Sequence, residues 1–258
     1  RITGQSAWNS GAAHAEWFTF SALTTEFGDA PVPLWFLVPR SDVNIHDTWY
    51  ISGMSGTSST DVSVENLFVP EHRTGRFDLA LEGRAPGMLL HENPMYHVPF
   101  LPFGLTEAIP VVTGALRGAA HALTERTRTR VGNLSQQKAV EKQSMQMRLG
   151  RALAAADAAE TLLASYMDRV TTYRPEQADL RDRAEMRLKA AYLADLCRNA
   201  LNDMVRGIGG DGFRTSSPIQ RIHRDLSVLA VHAFLDIDPA AEVAGRFALD
   251  LPVSDPLL

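Results

Sequence analysis

Cysteine is nearly absent: Cys197 is the only one in 258 residues, which excludes an intrachain disulfide framework. It falls inside a helical pattern and reads as a small core residue rather than a nucleophile. No apolar run approaches the roughly 18 residues of a membrane span, so no membrane partner is expected. No signal peptide is visible, which leaves the cytoplasm as the default compartment. Basic charge is not in excess, with 25 Lys and Arg against 30 Asp and Glu for a net charge of −5. That balance gives no electrostatic reason to bind nucleic acid. Internal repeats, low-complexity tracts and metal-ligand clusters are missing too. The chain also opens without methionine, at Arg1 in a strand pattern, and an additional N-terminal part is expected.

What is present belongs to a globular protein: 45% hydrophobic and 21% charged residues, enough chain for one large or two ordinary domains. From Arg1 to about Pro70 the pattern is β. Trp17 to Leu23 alternates, with Phe18, Phe20 and Ala22 on one face. Leu34 to Val38 is an apolar run closed by Pro39 and reads as a buried strand; Asp61 to Val69 alternates and stops at Pro70. Gly28, Asp29, Pro31, Pro33, Gly53 and Gly56 punctuate turns. Strands this short and close predict a small antiparallel barrel or sandwich. The next stretch is broken by Pro86, Pro94, Pro99 and Pro102. It is rich in aromatics, of which Tyr96, Phe100 and Phe103 are candidates to line a pocket for a flat ring.

From about Thr106 the pattern turns helical. Leu149, Ala156, Leu163 and Val170 recur every seven residues, with Leu153 and Met167 beside them, and Ser135 and Pro175 bound the helix. Leu193, Cys197, Leu201, Met204 and Ile208 mark a second long helix. It stops at Gly207-Ile208-Gly209-Gly210-Asp211-Gly212, and a third helix restarts at Ser217-Pro218. That third helix carries Arg221, His223, Arg224 and Asp225, and His232 follows. Residues 239 to 258 read as a short helix and then coil. Read alone, the glycines are either a helix cap or a place where a ligand approaches bare backbone, and the arginines either solvated or anion-binding.

One ordered series is more specific. It comprises Trp8-Asn9-Ser10-Gly11, His14-Ala15-Glu16-Trp17, Phe36-Leu37-Val38-Pro39-Arg40, Asp47-Thr48-Trp49, Gly53 through Val62, and Phe68-Val69-Pro70. Together with the glycine segment and Arg224-Asp225, it resembles the oxygenase components of two-component flavin-dependent monooxygenases with the acyl-CoA dehydrogenase-like fold. These are the hydroxylases of 4-hydroxyphenylacetate, steroid-derived phenols and aromatic polyketides. The resemblance covers nearly the whole chain. It implies an α+β fold: a middle antiparallel β domain over residues 1–75, a connecting loop over 76–105, and a C-terminal four-helix bundle over 106–258. An N-terminal helical domain and a homotetramer are implied as well.

The implied activity is hydroxylation of an aromatic small molecule by reduced flavin and dioxygen, through a flavin C4a-hydroperoxide. A separate flavin reductase supplies the reduced cofactor, FMN by family, with FAD the other form. The resemblance maps Trp8, Asn9, Ser10 and Gly11 along the flavin ring, with the Ser10 hydroxyl near N5. Arg128, chosen among Arg126, Arg128 and Arg130 by its spacing to Gly132, maps to the flavin phosphate. Gly209, Gly210 and Val231 map to cofactor contacts, and His232 to a base or hydrogen-bond donor beside the flavin and substrate. Arg224-Asp225 maps to an ion pair at a helix start.

Two other readings are open. An acyl-CoA dehydrogenase proper would carry a glutamate within Glu-Gly-Thr after the Arg-Asp pair, where this chain has Val231-His232-Ala233-Phe234. A noncatalytic flavin-binding homologue is the third.

Overall fold

A computed structural model describes residues 1–258 other than 30, 133–135, 175–178, 256 and 258. Two compact units divide it, Arg1–Phe100 and Leu101–Leu258.

In the first unit, six strands form two antiparallel three-stranded sheets. One has the order β1 (Ile2–Asn9), β5 (Thr60–Leu67), β4 (Asn44–His46); the other has β2 (Trp17–Thr24), β3 (Val32–Pro39), β6 (Thr74–Arg76). Alternation decides which residues face inward. Phe18 and Phe20 of β2, Val38 of β3, and Val62 and Val64 of β5 form one core with Ala12, drawing on both sheets. The expected sandwich is therefore a pair of sheets, with two local departures. Ala22 is exposed because β2 runs on beyond that core. Pro33, expected in a turn, lies inside β3 opposite Leu23. It is tolerated because β6 pairs only with Leu34–Phe36, so Pro33 has a sheet neighbour on one side alone. Leu37 is also 42% exposed, so β3 is buried on one face and not on both.

The stretch expected to be a connecting loop is partly regular. It contains β6, the short helix α1 (Phe77–Leu81) and two 3-10 turns. Phe100 closes the first unit by packing edge-on against Trp35 and Phe77 at centroid distances of 4.9 and 5.4 Å.

The second unit holds three long helices, α2 (Phe100–Thr129, its first residue belonging to the first unit), α3 (Gln143–Thr171) and α4 (Leu180–Ile208). Two twelve-residue helices, α5 (Pro218–Leu229) and α6 (Ile237–Ala248), pack on α4. The face of α4 is as the spacing predicts: Leu193, Cys197, Leu201, Met204 and Ile208 are all buried. Burial pushes the Cys197 thiol up to about 12, which suits a core role. The seam of α3 follows the expected stripe in part, at Ala156 and Val170. Met145, Ala152, Ala156, Ala159, Tyr166 and Val170 are buried, whereas Leu153 is exposed and Leu149 and Leu163 are half-buried. Alanines on facing helices let the axes approach closely, so the small residues rather than the leucines take the seam. Tyr166 is fully buried, and its hydroxyl donates to the Pro102 carbonyl at 2.7 Å. Ser135 and Pro175, expected to bound α3, lie outside the described residues, but α3 starts only at Gln143 with Lys142 at its N-cap, so Ser135 is not the cap that was expected. Ser217 caps α5 with Pro218 at the first position, as predicted, though without a side-chain hydrogen bond.

No helix among the described residues is long and apolar enough to cross a membrane. Among the same residues no cluster of three or more His, Cys, Asp or Glu is arranged to hold a metal ion.

Candidate functional site

In the first unit, the end of β1 and the turn before β5 come together. The Gly11 amide donates to the Thr57 carbonyl at 2.7 Å. The hydroxyls of Ser10 and Ser59 are 2.9 Å apart, and those of Ser59 and Thr57 are 2.7 Å apart. The Asn9 side-chain amide donates to the carbonyls of Ser6 and Thr60. Arg40 fixes the loop after Gly11 by donating to the carbonyls of Ala12 and Ala15. The Trp49 indole donates to the Met54 carbonyl and meets Trp8 edge-on at 5.2 Å. The motif stretches, distant in sequence, thus form one surface. Ser10 and the 67%-exposed Trp8 lie on its open side.

Backbone strain gathers at this surface. Trp8, Met54 and Ser58 have φ of 64°, 57° and 46°, half of the six positive-φ non-glycine residues described. Such conformations persist where the surroundings over-determine them, and they cluster at ligand sites. Serine and threonine hydroxyls, each able to donate once and accept twice, form the line Thr57–Ser59–Ser10. The Thr57 hydroxyl donates to the Met54 carbonyl at 2.8 Å, so Ser59 donates to Thr57 and Ser10 to Ser59, which leaves the Ser10 oxygen open as an acceptor.

In the second unit, the C-terminal ends of α2 and α4 form another corner. α4 stops at Gly209, whose φ of 66° favours glycine. Arg130 donates to the Ile208 carbonyl. Arg126 reaches the same carbonyl at 3.4 Å and Asp211 Oδ2 at 3.3 Å, and its buried Nε has no partner. Asp211 is held below the usual carboxylate range by Arg214 first and Arg126 second. A cavity of about 110 Å³ lies here, lined by residues that include Arg126, Arg130, Lys142 and Gly207. Arg128, the arginine selected by spacing, points elsewhere: it is exposed and pairs with Glu125 at 2.7 Å. Arg126 and Arg130 are four residues apart and share a helix face, which Arg128 does not. That periodicity was available in the sequence. Gly210 has open space where a side chain would stand.

His232 lies in the segment between α5 and α6. Its residue surface is exposed, yet neighbouring atoms desolvate the ring and hold its pKa below the ordinary 6.5. Nδ1 accepts the Phe234 amide at 3.2 Å, which places the proton of the neutral ring on Nε2. Val231 beside it is 56% exposed. Arg224 donates from Nε to Gln220 Oε1 at 3.0 Å. Of the candidate substrate residues, Tyr96 stacks on His91 at 4.2 Å, Phe100 is committed to the Trp35–Phe77 cluster, and Phe103 is 41% exposed.

The paired sheets, the helical bundle and its glycine-arginine corner are those of an acyl-CoA dehydrogenase-like protein. Residues 107–237, just over half of the chain, match the acyl-CoA dehydrogenase C-terminal domain model. The chain belongs to this family, in its branch of flavin-dependent hydroxylase oxygenase components. It is 71% identical over 258 residues to a pigment production hydroxylase of Rhodococcus sp., spanning all of this chain and 67% of that protein. It is 30% identical over 272 residues to the FADH(2)-dependent resorcinol hydroxylase oxygenase component of Rhizobium sp., spanning 97% of this chain and 64% of that one. Among solved structures, XiaF from Streptomyces sp., in complex with FADH2 and glycerol, superposes with a TM-score of 0.86 at 26% identity. That match covers 100% of this chain and 66% of XiaF. The chain thus spans about two thirds of the length of the relatives it matches.

Proposed function

We propose that this chain is part of the oxygenase component of a two-component flavin monooxygenase that hydroxylates an aromatic, phenolic or polyketide-like small molecule. A separate reductase would supply the reduced flavin, and the working form would be a homotetramer in the cytoplasm. When bound, the flavin supplies the activated dioxygen. The relatives whose names carry FADH2 favour FAD over the FMN first expected.

The observation that carries this reading is the segment after α5. From Leu226 to Leu235 it contains no carboxylate to act as a dehydrogenase base, and it presents His232 instead. With Nδ1 occupied by the Phe234 amide, His232 acts as a donor from Nε2. A phenol or phenolate oxygen facing it would be oriented and its negative charge stabilised. Action as a base would require the ring to give up its bond to Phe234, so the donor role fits better. Ser10, its proton turned to Ser59, offers its oxygen as an acceptor to the flavin ring edge, and Trp8 an apolar wall that keeps water from it.

The arginine corner suits a flavin phosphate. Arg126 has a buried Nε without a partner, and Arg130, Lys142 and the bare Gly210 backbone stand nearby. We assign Arg126 and Arg130 to that role ahead of Arg128, whose charge is turned to Glu125. Tyr96 and Phe103, with exposed rings, are kept as substrate-facing candidates. Phe100 is assigned to packing instead.

The test is to incubate the full-length protein with a flavin reductase, NADH, labelled dioxygen and a panel of phenols. Label should appear in a hydroxylated product only when the oxygenase is present. Steady flavin reduction with no labelled product from any phenol would overturn the proposal.

A further inference from the structure

Arg187 is the only charged residue among those described that is buried, with 3% of its surface exposed. It lies on α4 and holds two partners from elsewhere in the helical unit. Nη1 donates to Asp255 Oδ2 at 2.7 Å, and Nη2 to the Ala233 carbonyl at 3.2 Å. Asp255 is itself only 11% exposed, and its other oxygen accepts the Leu257 amide. A guanidinium removed from water is strongly unfavourable unless it is paired and its remaining donors are used. The buried Nε has no partner, so the cluster depends on both Asp255 and Ala233 staying in place.

Ala233 directly follows His232. The bonds within the segment are local: the Leu235 and Asp236 amides donate to the His232 carbonyl, and the Phe234 amide donates to His232 Nδ1. The amides of Ala230, Val231 and His232 continue the turn from α5 by donating to the carbonyls of Leu226, Val228 and Leu229, and none of these bonds reaches α4. Arg187 adds a tie to α4 beyond Ala233's own turn, beside the buried Leu235 side chain. Polar ties help to hold the segment that brings Asp255. Arg246 donates to the Pro252 carbonyl at 2.7 Å. A cavity of about 290 Å³, lined by Pro239, Val243, Arg246 and Asp255 among others, lies under the tail, so packing alone does not fix it.

We infer that Arg187 and Asp255 are positioning residues: the C-terminal tail, through this buried ion pair, sets the place of the His232 segment and so the aim of its Nε2 proton. The inference rests on the reading of His232 as a group that faces the substrate. The carboxylate neutralises Arg187, and the same guanidinium fixes the carbonyl next to His232. Loss of Asp255 would leave a buried cation that must move toward water, and Ala233 would lose its tie.

The experiment uses the full-length oxygenase and two variants, Asp255→Asn and the apolar pair Arg187→Met with Asp255→Leu. The second variant removes both charges and stays folded if the first does not, since an apolar pair replaces a buried ion pair at little cost. Hydrogen exchange of the peptide over 230–236 is read alongside product formed per NADH consumed and flavin affinity. Exchange in that peptide should rise about tenfold, with the rest of the bundle unchanged. Coupling should fall by up to about tenfold at unaltered flavin affinity. In a His232→Ala background, neither variant should lower coupling further, a result that a merely structural role would not give. Unchanged exchange over 230–236, or losses that add to that of His232→Ala, would overturn the inference. If the unaltered protein hydroxylates nothing, the proposed function falls, and the exchange measurement alone decides whether the tail holds the segment.

Discussion

Nη2 of Arg130 lies 2.9 Å from the point where a Cβ on Gly209 would stand. The same guanidinium is bonded to the Ile208 carbonyl, so the glycine that ends α4 is also what admits an arginine against the helix terminus. A cation at the C-terminal end of a helix meets the negative end of its dipole. The cap, the arginine and the corner form one unit.

Gly209→Ala is therefore expected to act twice. A φ of 66° strains any side chain by about 1–2 kcal/mol, which lowers the melting temperature by roughly 2–6 °C for a chain of this size. The new methyl also pushes the flexible Arg130 head from its place, and flavin affinity should drop with it. Calorimetry and flavin titration check the two effects, and a variant with unaltered melting temperature would refute the strain argument.

The three arginines can be separated by ligand chemistry. Loss of a charge-assisted bond to phosphate costs about 1.5–3 kcal/mol, or about tenfold or more in affinity. Arg126→Ala and Arg130→Ala should lose that much for a phosphate-bearing flavin and nothing for riboflavin, which has no phosphate. Arg128→Ala should change neither. Titrations of the reduced flavins show which arginine the phosphate meets, and a loss confined to Arg128→Ala would restore the choice made from spacing.

His232→Ala is expected to leave the fold intact while lowering hydroxylation about 10²-fold or diverting it to peroxide. His232→Gln, which can still donate, should retain more product per NADH than the alanine variant. Equal losses in the two would argue against a donor role.

Acid should weaken the helical unit through His223 and His232, both held below 6.5 by desolvation. In the window between each lowered value and 6.5, the unfolded chain binds more protons than the folded one, so stability rises with pH there. Their contribution is complete above about pH 6.5 and is lost as pH falls through the folded values. Melting curves at pH 7.5 and 5.5 for the parent and for His223→Gln/His232→Gln should show a smaller acid-side drop in the variant.

Tyr166→Phe removes the donor to the Pro102 carbonyl without opening a cavity. It should cost about 1–2 kcal/mol, read from denaturant unfolding, with the unfolding slope unchanged.

How much of this was legible in the chain varies by element. The face of α4 could be read because leucine, methionine and isoleucine at spacings of three and four mark one side of a helix. The seam of α3 could be read only at Ala156 and Val170. Its alanines and leucines are both apolar, and only the closeness of the neighbouring helices chose the alanines. Phe100 read as a pocket aromatic because it follows a proline-rich stretch, but Trp35 and Phe77, far from it in sequence, claim its ring. The Arg126–Arg130 face was present in the numbering, yet only the position of the Ile208 carbonyl showed which arginines meet the glycine turn.

The sequence by itself determined the order of elements and the family, because periodicity, turn residues and an ordered motif series are properties of a line. It also determined the missing dehydrogenase glutamate. The tertiary structure decided which hydroxyl backs Ser10, which nitrogen of His232 carries its proton, and that Asp255 reaches Arg187 from 68 residues away. The first and last join distant positions, and the His232 bond is local to a turn whose shape the sequence does not announce; all are fixed by which polar groups find partners once the chain has closed around them.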